Sequence, residues 1–102
     1  MKEITESEFA GVTSKGVVLV DFSAEWCGPC KAMMPTIQRI STDYAGRLSV
    51  YTVDTDKSPA LASQQLVMSM PTFLLFKDGK VVDRVVGALA EPKLRAKIDA
   101  FL

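Results

Sequence analysis

No histidine occurs among the 102 residues of this chain, which excludes the usual general base near neutral pH, the usual zinc nitrogen ligand and every catalytic triad built on imidazole. A charge excess of either sign is also missing. Twelve basic side chains balance twelve acidic ones, so the electrostatic footprint behind most non-specific nucleic-acid affinity is absent and no nucleic-acid partner is expected. The longest purely aliphatic run is Val17-Val18-Leu19-Val20, far short of the ~20 residues that span a bilayer. The amino terminus, Met1 to Glu8, is acidic and lacks the apolar stretch of a secretory signal. A soluble, unexported, cytoplasmic chain without a membrane partner is therefore expected. Gly/Ser-rich linkers, low-complexity tracts and internal repeats are lacking too, which points to one domain over residues 1–102. What remains for chemistry is cysteine, carboxylate, lysine, tyrosine and backbone.

What is present is an ordinary globular composition, 48% hydrophobic and 24% charged, long enough to bury roughly two thirds of its unfolded surface without a disulfide framework or structural metal. Residues 1–4 suit a brief edge strand. Thr5-Glu6-Ser7-Glu8 has capping-box spacing, with Phe9 and Val12 as a short apolar face behind it. Val17 to Phe22 is apolar except for Asp21, as in a strand covered on both sides. A helix is predicted from about Pro29 to Tyr44, with Met33, Ile37, Ile40 and Tyr44 on one face; the periodicity continues past Pro35, so that proline reads as a kink rather than an end. Leu48 to Val53 reads as a second core strand, and Ser58-Pro59 as the start of a short helix reaching Leu66. Thr72 to Lys77, Asp78-Gly79 and Lys80 to Val86 make a hairpin with a two-residue primed turn. Pro92 opens a last helix with Leu94, Ile98, Phe101 and Leu102 on its face. The order β-α-β-α-β-α-β-β-α predicts an α/β fold: a mixed central sheet of four to five strands with helices on both faces, and a site at the carboxyl ends of its parallel strands.

The two cysteines fall there. Trp26-Cys27-Gly28-Pro29-Cys30 follows the first long strand and opens the long helix. A thiol at that position faces unpaired backbone N–H groups and the positive end of the helix dipole, which favour its thiolate. Cys27 is thus the expected nucleophile. Pro29 suits the first helical position and Gly28 a tight turn. Cys30, inside the first turn and less exposed, is placed to attack a mixed disulfide at Cys27. Two other readings compete. As a structural staple, a bridge closing so short a loop removes only about 2 kcal/mol of chain entropy. As half of a zinc site, the pair lacks two further ligands, which only carboxylates or a second chain would supply. C-x-x-C beside a βαβ pattern points instead to redox chemistry.

The string Asp21-Phe22-Ser23-Ala24-Glu25-Trp26-Cys27-Gly28-Pro29-Cys30-Lys31, followed by Met70-Pro71-Thr72 and Val86-Gly87-Ala88, resembles the thioredoxin family over essentially the whole chain. The resemblance implies a thioredoxin fold and a general protein-disulfide reductase of reducing potential. Cys27 would be the nucleophile, Cys30 the resolving thiol, and Asp21 the group that takes the proton from Cys30, directly or through water. A buried carboxyl suits that role, because desolvation raises its pKa toward neutrality. The resemblance further implies a cis peptide at Met70-Pro71 that leaves the Met70 backbone free for an extended client. Trp26, Gly28, Pro29, Met70, Pro71 and Gly87 would form an apolar rim around Cys27. From the residues alone, Trp26 is more often a core residue than a contact, Pro71 has the simpler reading of a strand-start proline, Gly87 equally that of a turn glycine, and Asp21 that of a strand-end carboxylate in water. No bound cofactor or metal is implied: the redox group is the Cys27–Cys30 pair, and NADPH and flavin belong to a separate thioredoxin reductase. The implied partners are that reductase and disulfide-containing client proteins, met by a monomer. Ser23 and Thr52 depart from the aromatic residue and the lysine that bacterial members often carry there, and the amino-terminal segment is short. A binding module within a larger assembly, and an oxidase or isomerase on the same fold, are the rival functions.

Overall fold

The computed structural model describes residues 1–102. In chain order its elements are β1 (Lys2–Glu3), α1 (Glu6–Thr13), β2 (Val17–Ser23), α2 (Gly28–Asp43), β3 (Ser49–Asp54), α3 (Pro59–Gln64), β4 (Thr72–Lys77), β5 (Lys80–Val86) and α4 (Glu91–Asp99). The strands form one five-stranded sheet ordered β1-β3-β2-β4-β5. β3 runs parallel to both β1 and β2, whereas β4 is antiparallel to β2 and β5 to β4.

Strand alternation decides which helix covers which face. Leu19, Val50, Phe73 and Leu75 pack with Met33, Ile37 and Ile40 of α2, Tyr44 just beyond it, and Leu94 and Ile98 of α4. The opposite set, Val18, Val20, Phe22, Val53, Leu74 and Phe76, packs with Phe9 of α1 and Leu61 of α3. Two helices therefore lie on each face, and β2 is buried from both sides as its apolar run requires. The primed turn is present: Asp78 and Gly79 both take positive φ, at 50° and 88°. The turn is also tied to the entrance of β2, where the Gly16 N–H donates to Asp78 Oδ1 at 2.9 Å. α1 begins at its capping box, the Thr5 N–H donating to the Glu8 carboxylate at 3.0 Å. α2 continues through Pro35, which sits on its exposed side, as does Lys31 one turn back, whose carbonyl the proline leaves without a helical donor.

Three local expectations need correction. α4 starts one residue early, with Pro92 second in the helix, and Leu102 is exposed at the chain end rather than part of the packed face. Ser58 occupies the N-cap of α3 by backbone alone, its hydroxyl making no cap bond. α3 stops at Gln64 and does not reach Leu66. The reason is a Schellman ending: the Leu66 N–H donates to Ser63 O at 3.0 Å and the Val67 N–H to Ala62 O at 2.9 Å, with Leu66 left-handed at φ 59°. Glycine usually fills that position, and an L-residue there costs about 1–2 kcal/mol. Leu66 is largely exposed, so little burial offsets the cost. Leu66→Gly is therefore expected to stabilise the fold by about 0.5–1 kcal/mol, the gain being reduced by glycine's chain entropy. Urea unfolding checks this, and an unchanged or lowered midpoint would contradict it.

Candidate active site

β2 ends at Ser23, and the chain turns through Ala24 and Trp26 into α2. The Cys27 N–H donates to Ala24 O at 3.1 Å, which sets Cys27 in extended geometry at the N-cap of α2, with φ −85° and ψ 107°. Its Sγ then accepts the Cys30 N–H at 3.2 Å, taking the place that a serine or aspartate oxygen fills at most helix starts. Cys27 and Cys30 are joined as a disulfide, their Cα atoms 5.3 Å apart. Gly28 and Pro29 are the first two residues of the helix, so Pro29 stands second rather than first; its missing N–H still falls among donors the helix would leave unpaired. Burial does not separate the two sulfurs as the sequence suggests, since both cysteines are buried in the oxidised protein. Electrostatics separates them: the helix terminus directs an N–H at the sulfur of Cys27 and gives Cys30 no such donor.

Asp21 is buried without a side-chain hydrogen-bond partner for either oxygen. Two residues on from Leu19, it shares the sheet face that α2 covers, the face under the cysteines. Its register neighbours are Thr52 on β3 and Phe73 on β4, neither of them charged. Desolvation, with no compensating cation or donor, pushes its pKa up to about 7. A cavity of about 500 Å³ opens behind the cysteines, lined by Ser23, Thr52 and Asp54 from the strands and by Cys30 and Met34 from α2. Asp21 lies two register positions deeper than the Ser23–Asp54 pair that borders it, beside Thr52, which lines it too.

The rim residues come together around this centre. Ala24, Cys27 and Cys30 form a small buried cluster, against which the half-buried Met70 packs. The Met70-Pro71 peptide is cis and Pro71 is buried. The Gly87 N–H donates to Pro71 O at 2.8 Å, joining the start of β4 to the end of β5. Gly87 takes φ 87°, while a Cβ there would meet nothing within 4 Å, so its backbone angle and not local crowding calls for glycine. Trp26 is not a core residue: it is 67% exposed, and its Nε1–H donates to Asp56 Oδ2 at 2.8 Å. Gly28 and Pro29 are exposed beside it.

Thr55 and Asp56 are site residues that sequence patterns do not single out. The Thr55 hydroxyl donates to Met70 Sδ at 3.0 Å, and Asp56 fixes the indole of Trp26. Both follow the carboxyl end of β3, where parallel strands gather their sites, and that position is the only signal pointing to them. No group of three or more carboxylate or cysteine side chains is arranged to hold a metal ion.

The chain is similar to known proteins over nearly its whole length. The family model for thioredoxin matches residues 1–100. A curated thioredoxin of Staphylococcus aureus is 40% identical over 100 residues, 98% of this chain and 96% of that protein. The crystal structure of Malassezia sympodialis thioredoxin superposes with a TM-score of 0.90 at 38% identity, covering 99% of this chain and 90% of that one. Plasmodium falciparum thioredoxin does so with a TM-score of 0.90 at 33% identity, covering 99% and 98%.

Proposed function

The chain belongs to the thioredoxin family and is a protein-disulfide reductase, and from that premise we propose how its own residues divide the reaction. Its redox-active group is the Cys27–Cys30 pair. In the reduced protein the Cys27 thiolate attacks one sulfur of a client disulfide; a Cys27–client bond forms as the client S–S bond breaks, and one client thiolate leaves. Cys30 gives its proton to Asp21, directly or through water in the adjoining cavity, and its thiolate attacks Cys27 Sγ. The mixed disulfide breaks, the second client thiolate leaves, and Cys27–Cys30 closes. Two electrons have passed from the pair to the client.

The observation that supports this division is the hydrogen bond from the Cys30 N–H to Cys27 Sγ, a helix-terminus donor that the Cys30 sulfur lacks. The isolation and raised pKa of Asp21 support its part, since a carboxyl titrating near neutrality both accepts and returns a proton at working pH. Trp26, Gly28, Pro29, Met70, Pro71 and Gly87 supply the docking rim, supported by the exposure of Trp26, Gly28 and Pro29, the packing of Met70 on the cysteine cluster and the hydrogen bond that ties Gly87 to Pro71 beside it. Family membership implies disulfide-bearing client proteins and thioredoxin reductase as partners. We read the chain as a single-domain monomer of the reducing cytoplasm, recycled by a flavoprotein drawing on NADPH, with no nucleic-acid or membrane partner. No helix is long and apolar enough to cross a membrane.

Insulin reduction with dithiothreitol as donor tests the function. Addition of the protein is expected to bring on precipitation of the insulin B chain well before dithiothreitol alone does. Coincident traces would overturn the reading.

A further inference from the structure

Arg84 lies on β5 opposite Leu74 of β4, on the sheet face covered by α1 and α3. Its guanidinium takes part in no ion pair. Instead it reaches across to the end of α3, where Nη2 donates to Gln65 O at 2.7 Å and Nη1 to Leu66 O at 3.5 Å. A helix end leaves carbonyls unpaired and carries a partial negative charge, so a cation there is favoured and its hydrogen bonds are charge-assisted. This end needs holding. α3 is only six residues long, and its ending forces Leu66 into the left-handed conformation that glycine would take without strain.

Only Val67, Met68 and Ser69 separate Leu66 from Met70, the residue packed on the cysteine cluster. The far end of the segment is also tied, by the Thr72 hydroxyl to Ser69 O at 2.7 Å and by Thr55 to Met70 Sδ. The near end relies on the Schellman bonds and on Arg84. Met68 projects almost fully exposed between the two ties. Trp26, on the other side of the cysteines, has its own clamp in Asp56.

We propose that Arg84 is a positioning residue for client recognition: by holding the end of α3 it fixes the Leu66–Met70 segment in the shape on which a protein client docks beside Cys27. The inference rests on the reductase reading and adds to it that the segment selects polypeptide disulfides over small ones. A small disulfide needs only the Cys27–Cys30 pair, its helix terminus and Asp21, and Arg84 touches none of them. A protein client also needs the rim.

The test compares wild type, Arg84→Met and Arg84→Lys, each checked for a cooperative urea transition, in reducing insulin and the small aromatic disulfide 5,5′-dithiobis(2-nitrobenzoate). For Arg84→Met, kcat/KM on insulin is expected to fall about tenfold, carried by KM, as befits loss of charge-assisted bonds that hold a binding surface. The rate on the small disulfide should stay within about twofold of wild type, because no group acting on sulfur has changed. Arg84→Lys keeps a donor to one carbonyl and should recover part of the loss on insulin. If Arg84→Met fails to fold, Arg84→Gln, which keeps one donor group, is read by the same comparison. Equal losses on both substrates, or no loss on insulin, would overturn the proposal. A wild-type protein that reduces neither disulfide would instead overturn the reductase reading, and this proposal with it.

Discussion

Cys27→Ser is expected to bring insulin reduction down to the rate of dithiothreitol alone, the loss of the whole catalysed rate. A serine hydroxyl at the N-cap accepts the Cys30 N–H as well as a thiol does, so α2 should keep its start and the fold the stability of the reduced protein. What disappears is the nucleophile, because a hydroxyl remains protonated where a thiol at a helix terminus does not. Cys30→Ser should behave differently. With Cys27 intact the first attack still proceeds, but nothing resolves its product. The variant should accumulate as a mixed disulfide with insulin, visible as an adduct in non-reducing mass spectra. If the roles were reversed the trapped species would form with Cys27→Ser instead, so the pair of variants separates the two assignments.

Asp21→Asn is expected to slow turnover near pH 7 by on the order of tenfold, below the usual contribution of a positioned base because the cavity that Cys30 lines has room for water as another proton acceptor. The same substitution should stabilise the oxidised protein in a pH-dependent way. Burial lifts the Asp21 pKa from the ordinary 3.8 to about 7, so between those values the folded chain keeps a proton that the unfolded chain has released. Stability therefore falls as pH rises from about 4 to about 7, and the penalty persists at higher pH, reaching at most about 4 kcal/mol. Asparagine never ionises and escapes that penalty, but it leaves a buried amide without partners. A gain of about 2–3 kcal/mol at pH 8 and almost none at pH 4 follows. Urea unfolding at the two pH values checks it; an equal effect at both would mean that Asp21 is not titrating from a desolvated site. A pH–rate profile indifferent to the substitution would remove Asp21 from the proton transfer.

The parts of the molecule legible in the sequence are those encoded by near neighbours. Four apolar residues on one face mark α2, Asp78-Gly79 marks the hairpin, and Trp26-Cys27-Gly28-Pro29-Cys30 falls between a strand and a helix where a thiolate is favoured. Asp21 is conspicuous as the one charge in an apolar run. Its isolation is another matter, since it depends on Thr52 and Phe73, residues brought alongside by strand register. The same limit hid the clamps. Asp56 holds Trp26 from 30 positions away, Thr55 holds Met70 from 15, and Arg84 reaches Gln65 across 19. Leu66 misleads for a different reason: leucine is a good helix former, and only the Schellman bonds to Ala62 and Ser63 show that the chain has already turned away. Trp26 misleads in the same sense, as a large apolar residue expected inside that instead stands at the surface with its N–H engaged.

The whole reaction depends on Cys27 being the ionised thiol of the reduced pair. Its pH-dependent alkylation by a limiting amount of iodoacetamide, with the modified site mapped by mass spectrometry, tests that most directly. Modification is expected at Cys27 first, with an apparent pKa below the ~8.5 of an unperturbed thiol and Cys30 reacting only at higher pH. Equal labelling of the two cysteines, or labelling of Cys30 first, would contradict it.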